Sequence, residues 1–470
     1  MKKFKSLVYF VAVIALCFGS IPVSAQRKGL KTITGEELRY HLEFLGAPEF
    51  RGRETPSPEL EIATLYLGNW AKNAGLEPIL PDGSFYQTIP ISVTSVVESH
   101  TRLRVMSLEG ERYFYYGKSF GGSFRQSGSY SGDVVFAGLG ISEPDKGWDD
   151  LKDLDLTGKI VVIMDAQPPD NMLSLGSTYS YRLYSRINTI RDKGAAAVLS
   201  IVDPARAAKG AEGMDIFDDI PSGRMEIMYA SQRREPSTPQ TVPQQEVTNR
   251  PPLPFGNAQI GFDVAAAILD VSKNEILDWF ERIQKGQPVP HREITDVTVR
   301  LDVEVEQRSR TTRSVIAQVP GSDPVLGKEY IVICAHHDHL GISDGEIIAG
   351  ADDNGTGTVA LMEIAQALVA ERPKRTVIIA WFTGEERGYF GSQYFVNNCP
   401  VPIEKISACL NMDMLGRNDI DHLYLVGSDL LSSELDGAIH KVNREYKINF
   451  NFDYLYSNLT HPQRVYFRSD

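Results

Sequence analysis

The second half of the chain alternates short, nearly continuous apolar runs with apolar-periodic segments. Tyr330–Ala335, Thr376–Phe382 and Ser407–Met412 have strand length and are apolar at successive positions. That pattern suits strands buried on both faces. Between the first two, Thr356–Ala370 repeats apolar residues at Val359, Met362, Ala365, Leu368 and Val369, the spacing of a helix. Val297–Val305 and Ser314–Val319 read as two further strands. Buried strands separated by helices predict an α/β domain with a largely parallel central sheet.

Upstream the pattern changes twice. Gly35–Leu45 and Pro58–Asn73 read as helices, the second with Leu60, Ala63, Leu67 and Trp70 near helical spacing. Arg51-Gly52-Arg53 lies in the loop between them and reads as loop structure, with no role in a site. From about 100 to 295, β-like runs at Asp133–Ala137, Lys159–Met164 and Ala195–Ile201 alternate with turns, and Arg186–Lys193 reads as a helix. Pro236–Pro254 holds six prolines and predicts an extended loop. Phe262–Phe280 follows with two short helical patterns.

The extreme N-terminus reads as an export signal. Lys2, Lys3 and Lys5 precede the apolar run Leu7–Phe18, and Val23-Ser24-Ala25 has the small-residue spacing of a cleavage site. The run falls short of the ~20 residues of a membrane span. An exported protein, periplasmic or extracellular and without a stable membrane span after cleavage, is expected. A length of 470 residues predicts about three domains. The formal net charge of −13, becoming −16 after loss of the three lysines, argues against nucleic acid as a partner. Cys334, Cys399 and Cys409 would survive cleavage; their odd number and the apolar runs around Cys334 and Cys409 favour buried free thiols over disulfides.

Candidate chemistry gathers at the strand ends. Tyr330–Ala335 leads into His336-His337-Asp338-His339, three of the nine histidines in four residues. Period-two alternation puts His336 and Asp338 on one side, His337 and His339 on the other. His336 is a candidate metal ligand, and Asp338 could accept its other ring N–H; a surface histidine cluster is the alternative. Gly350-Ala351-Asp352-Asp353-Asn354 opens the helix, either as an N-cap or with a carboxylate that bridges two ions. Thr376–Phe382 ends in Thr383-Gly384-Glu385-Glu386. A divalent cation would remove the repulsion of the pair, one Glu binding metal while its neighbour acts as general base. The alternative is an acidic pair favoured by a helix dipole. Asp413, between Met412 and Met414, is costly at a buried strand end without a partner. Oxygen and imidazole donors without cysteine suit catalytic zinc.

Ala335-His336-His337-Asp338-His339-Leu340-Gly341, Gly350-Ala351-Asp352-Asp353-Asn354, Thr383-Gly384-Glu385-Glu386 and Asn411-Met412-Asp413-Met414 together resemble the secreted co-catalytic di-zinc aminopeptidases, a family that also includes glutamate carboxypeptidase and the transferrin receptor. The resemblance implies two zinc ions: one held by His336, Asp353 and Asp413, the other by Asp353 as bridge and Glu386. It makes Glu385 the general base, Asp338 the orienter of His336, and Asp352 a bystander. It implies peptides with a free N-terminus as substrates, on a zinc-exopeptidase-type mixed, largely parallel sheet flanked by helices. Gly147-Trp148-Asp149-Asp150-Leu151, Leu156–Ile163 and Lys193–Val198 resemble an inserted β-rich protease-associated domain. The expected division is a signal peptide at 1–25, the N-terminal part of the peptidase domain at 26–100, the insert at 101–295 and the catalytic domain at 296–470. The family also supplies a later histidine to its second zinc, in a segment opening Ser-Asp-His. The sequence given stops at Arg468-Ser469-Asp470, so one complete metal position and a second short of one protein ligand are expected, in a fragment or an impaired form. Carboxypeptidase or other amide hydrolase chemistry on the same scaffold, and a non-catalytic binding form, are the rival expectations.

Overall fold

The computed structural model describes residues 27–146, 148–166, 183–204, 226–229, 255–343, 346–417, 419–461 and 463–470. The signal segment and the proline-rich loop lie outside these residues, as does Gly147. The chain divides into one unit of residues 1–91 and 310–470 and another of residues 92–309.

In the first unit the neighbouring strands run in the order Tyr86–Val96, Val305–Val319, Thr376–Phe382, Tyr330–His336 and Ile406–Asn411. The last three are mutually parallel, and Val305–Val319 pairs antiparallel with Thr376–Phe382. The sheet is therefore mixed, with its parallel part where the apolar runs are. Alternation explains why those runs are continuous. Ile331, Ile333, Val377, Ile379 and Trp381 pack on one face with Leu38, Leu45, Leu67, Ala71, Val359 and Met362 of the helices Gly35–Leu45, Pro58–Asn73 and Gly357–Ala370. Val332, Cys334, Ile378, Ala380 and Phe382 pack on the other with Phe395 of the helix Phe390–Asn397. Both faces are covered, so both parities are apolar.

Local chemistry sets the helix starts. The side chain of Thr34 accepts from the Glu37 N–H, and that of Ser57 from the Leu60 N–H, with Pro58 at the first helical position. Ile406–Asn411 departs from expectation. It ends the order of described strands and is half-exposed, so Cys409 is exposed while Cys334 is buried. Their sulfurs stand 3.8 Å apart, about twice the length of a disulfide bond, and all three thiols are free.

In the second unit the strand order is Gly110–Tyr115, Arg102–Ser107, His291–Val303, Gly128–Ala137, Ile160–Asp165, Ala197–Val202, Gly256–Ile260 and Phe120–Gly121. Gly128–Ala137, Ile160–Asp165, Ala197–Val202 and Gly256–Ile260 are parallel to one another; the outer pairings given by register are antiparallel. The helices Phe262–Leu269 and Lys273–Gln284 bury Phe262, Ile268, Trp279 and Ile283 in the same core as Leu199 and Val299.

One buried acid in the first unit makes stability depend on pH. Glu363, on Gly357–Ala370, is 1% exposed and accepts from the Thr34 N–H at 3.1 Å. Burial pushes its carboxyl up to about 8. The folded chain then keeps a proton that the unfolded chain releases near 4.5. Stabilisation from this group is full below that value and is lost as pH rises through about 8. Glu363→Gln should flatten the fall in thermal stability between about pH 5 and 8. An unchanged slope in melting temperature against pH would refute this.

Candidate metal centre

Tyr330–His336 stops at His336, whose Nε2 points beyond the strand end toward two carboxylates. Asp353 Oδ1 lies 3.3 Å away and Asp413 Oδ1 3.5 Å away. Two ligands on a tetrahedral ion at ordinary zinc distances stand about 3.3–3.5 Å apart. His336 Nε2 and Asp413 Oδ1 are buried and have no hydrogen-bond partner among the described residues. Buried polar atoms are rarely left so, and a shared cation satisfies both. Electrostatics agree. Burial opposes a proton on His336, yet Asp338, Asp353 and Asp413 together hold it well above the ordinary histidine range. A field that favours a proton there favours any cation.

Asp353 reaches this position because its neighbours are tied elsewhere. Asp352 accepts from the Gly416 N–H at 2.9 Å and pairs with Arg417. Asn354 accepts from Gly357 N–H and donates to the Met412 carbonyl at 2.8 Å. That second bond fastens the loop to the end of Ile406–Asn411, beside Asp413. Neither Asp352 nor Asp353 caps the helix: Thr356 precedes it without a side-chain cap bond, Asn354 serves the Gly357 N–H, and Asp353 is left facing His336. Burial works against ionisation of Asp353, but His336 holds it below the usual carboxylate range.

Asp338 is fully buried. Its Oδ1 lies 3.6 Å from His336 Nδ1 and accepts from the Glu385 N–H at 3.2 Å. Despite burial, His336 keeps its carboxyl below the ordinary value. Glu385 Oε2 is 4.0 Å from His336 Nε2. Burial, reinforced by Asp470, Asp338 and Glu386 against the pull of His336, pushes Glu385 up to about 9. The acidic pair does not open a helix: Phe390–Asn397 starts later and has no acid in its first turn. The dipole alternative therefore does not apply.

His337 follows the alternation argument and His339 departs from it. His337 is buried, with Nδ1 2.7 Å from the Phe382 carbonyl and Nε2 2.9 Å from Thr64 Oγ1. Burial lowers it to about 4, so it is neutral packing. His339 does not share its side. The strand has ended, and the His339 N–H bonds the Arg53 carbonyl at 3.0 Å. The ring turns to the carboxylates, with Nδ1 2.7 Å from Glu386 Oε1 and 3.9 Å from Asp353 Oδ1. His339, Asp353 and Glu386 form a second group whose donor atoms lie within 4.8 Å of one another. The His339–Glu386 contact is shorter than a tetrahedral edge, so this group is less ready for an ion than the first. The density of histidines was the available signal for His339.

Arg53 had no such signal. It is 1% exposed, and its guanidinium donates to the carbonyls of Leu45, His337, Ala349 and Gly350. It joins the turn after His336 to the loop before Asp353. Its neighbour Glu54 pairs with Arg387, directly after the acidic pair.

Residues 314–469 match the model of peptidase family M28. Leucine aminopeptidase 2 of Arthroderma otae is 33% identical over 159 residues, 33% of this chain and 30% of that protein. An aminopeptidase of Pseudomonas aeruginosa is 34% identical over 122 residues, 26% of this chain and 21% of that protein. The chain thus spans about a third or less of the length of these curated relatives. A zinc aminopeptidase from Bacillus subtilis superposes with a TM-score of 0.48 at 14% identity, covering 92% of this chain and 82% of that structure.

Proposed function

We propose that the protein is an exported zinc aminopeptidase of peptidase family M28, whose model residues 314–469 match. His336, Asp353 and Asp413 would hold one zinc, and Asp353 with Glu386 would hold a second. The observation that carries this reading is the pair of partnerless buried atoms, His336 Nε2 and Asp413 Oδ1, at ligand spacing about Asp353.

Zinc held there would supply a Lewis acid for water and for the scissile carbonyl. The chain's own groups do the rest. Asp338 holds the ring of His336 from its far side, with its main-chain carbonyl 3.2 Å and its carboxylate 3.6 Å from Nδ1. Glu385, buried beside His336, takes a proton from the attacking water and passes it to the leaving amine. A cation beside Glu385 would lower its proton affinity from the value set by burial, leaving a base that can be reprotonated in the same cycle. The carboxylates around the site favour a substrate ammonium. The two arginines next to it in sequence already hold acids: Arg387 holds Glu54, and Arg417 holds Asp352. Neither is set up to clamp a substrate carboxylate, which supports an aminopeptidase over a carboxypeptidase. In the same reading, residues 1–25 direct export to the periplasm or medium, and 101–295 form a protease-associated insert.

Paired peptides test it. A peptide with a free amine and an amidated C-terminus should be shortened from its N-terminus. Its N-acetyl counterpart should react at least ~100-fold more slowly, as expected when a site built for a charged group loses it. Cleavage of the acetylated peptide with a free carboxylate, and not of the amidated one, would overturn the assignment.

A further inference from the structure

Three buried hydroxyls run in a row from a neighbouring strand to Asp338. Thr312 lies on Val305–Val319, Thr383 follows Thr376–Phe382, and Thr55 lies in the loop before Pro58–Asn73. They are 1%, 0% and 0% exposed. Thr312 Oγ1 is 2.7 Å from Thr383 Oγ1, which is 3.3 Å from Thr55 Oγ1; Thr55 Oγ1 is 3.0 Å from Asp338 Oδ2.

The direction of these bonds follows from counting protons. A hydroxyl carries one, and an ionised carboxylate can only accept. Thr55 therefore donates to Asp338 and accepts from Thr383, which accepts in turn from Thr312. All three protons point toward Asp338, and each bond polarises the next. The other oxygen of Asp338 faces His336 Nδ1 and the Glu385 N–H. The row thus ends on Asp338, whose main-chain carbonyl is the hydrogen-bond partner of His336 Nδ1 at 3.2 Å and whose other carboxylate oxygen accepts from the backbone of the proposed base.

We propose that Thr55, backed by Thr383 and Thr312, is a positioning residue that fixes the Asp338 side chain and, through that residue's carboxylate at 3.6 Å and carbonyl at 3.2 Å, the aim of His336. This rests on the reading of His336 as a zinc ligand. Thr55→Val keeps the shape of the side chain and removes the hydroxyl. Thr55→Ser keeps the hydroxyl and removes the methyl. Packing alone would make the two about equally harmful, or make serine the worse.

The test measures zinc affinity of the whole chain by competition with a chromogenic chelator, the visible spectrum of the cobalt form, and kcat and KM separately. Thr55→Val should weaken zinc binding by ~10-fold, the lower end of the effect of partners behind a metal ligand. It should also alter the cobalt spectrum and lower kcat with little change in KM. Thr55→Ser should recover most of each. Thr312→Val, remote from every proposed ligand, should shift affinity in the same direction by a smaller factor, and decides the matter if Thr55→Val does not fold. Wild-type affinity and spectrum in both valine variants, or equal losses in valine and serine at 55, overturn the proposal alone. A wild-type chain that takes up no zinc, and is unchanged in this by His336→Ala, overturns the metal reading and the proposal with it.

Discussion

Glu385→Gln is expected to keep its zinc and lose turnover by a factor of ~10²–10⁴, the usual contribution of a positioned general base. The substitution preserves volume and removes only the ability to take a proton. Glu385 is 9% exposed and holds to Asp338 through its backbone N–H, so an amide in its place leaves the frame of the site intact. Neither metal group includes it. Steady-state kinetics on an amidated peptide, with zinc content measured on the same sample, check both halves. Retained turnover would remove Glu385 from its role. Lost zinc would make it a ligand instead.

Asp353→Asn is expected to abolish zinc uptake at both positions, and activity with it, because Asp353 alone belongs to both groups. The effect on stability has two parts. Without zinc the variant should melt lower than the wild type near neutral pH, since His336 holds the Asp353 carboxyl below its ordinary range and the ionised pair contributes stability there. With zinc the wild type gains stability by mass action, about 2.7 kcal/mol at a hundredfold excess over Kd, and the variant gains nothing. Melting curves with and without zinc separate the two effects. A variant with the wild-type zinc shift would show that Asp353 is no ligand. Asp352, tied to Arg417 and to Gly416, is the natural control.

The sheet was legible where burial was symmetrical. Tyr330–His336 and Thr376–Phe382 are apolar at every parity because helices cover both faces, and their ends carry His336 and Glu385. Ile406–Asn411 has the same apolar look but lies at the end of the described order, where one parity is open to solvent. Composition does not distinguish an edge strand from a central one. The antiparallel setting of Val305–Val319 was equally hidden, because direction depends on connections and not on pattern. Within the site, residues at strand ends announced themselves as acids and histidines in apolar surroundings. Arg53 and Thr55 did not. Their partners at the turn after the strand, His337 and Asp338, lie more than 280 positions away. His339 was hidden for another reason: alternation holds only while the strand lasts.

The order of segments in the chain has a consequence for assembly. The helices Gly35–Leu45 and Pro58–Asn73 precede residues 92–309, and the strands they cover follow them. At ordinary synthesis rates, roughly 200 intervening residues take about 10–40 s to emerge. For that interval the two helices present Leu38, Leu45, Leu67 and Ala71 with no sheet to receive them. The intervening unit can complete its own core first, and its folding brings together Tyr86–Val96 and Val305–Val319, the neighbouring strands by which the chain enters and leaves it. Its vectorial role is then that of a clasp: it shortens the search by which early helices find late strands, and it leaves the newborn N-terminus as the part most in need of a chaperone.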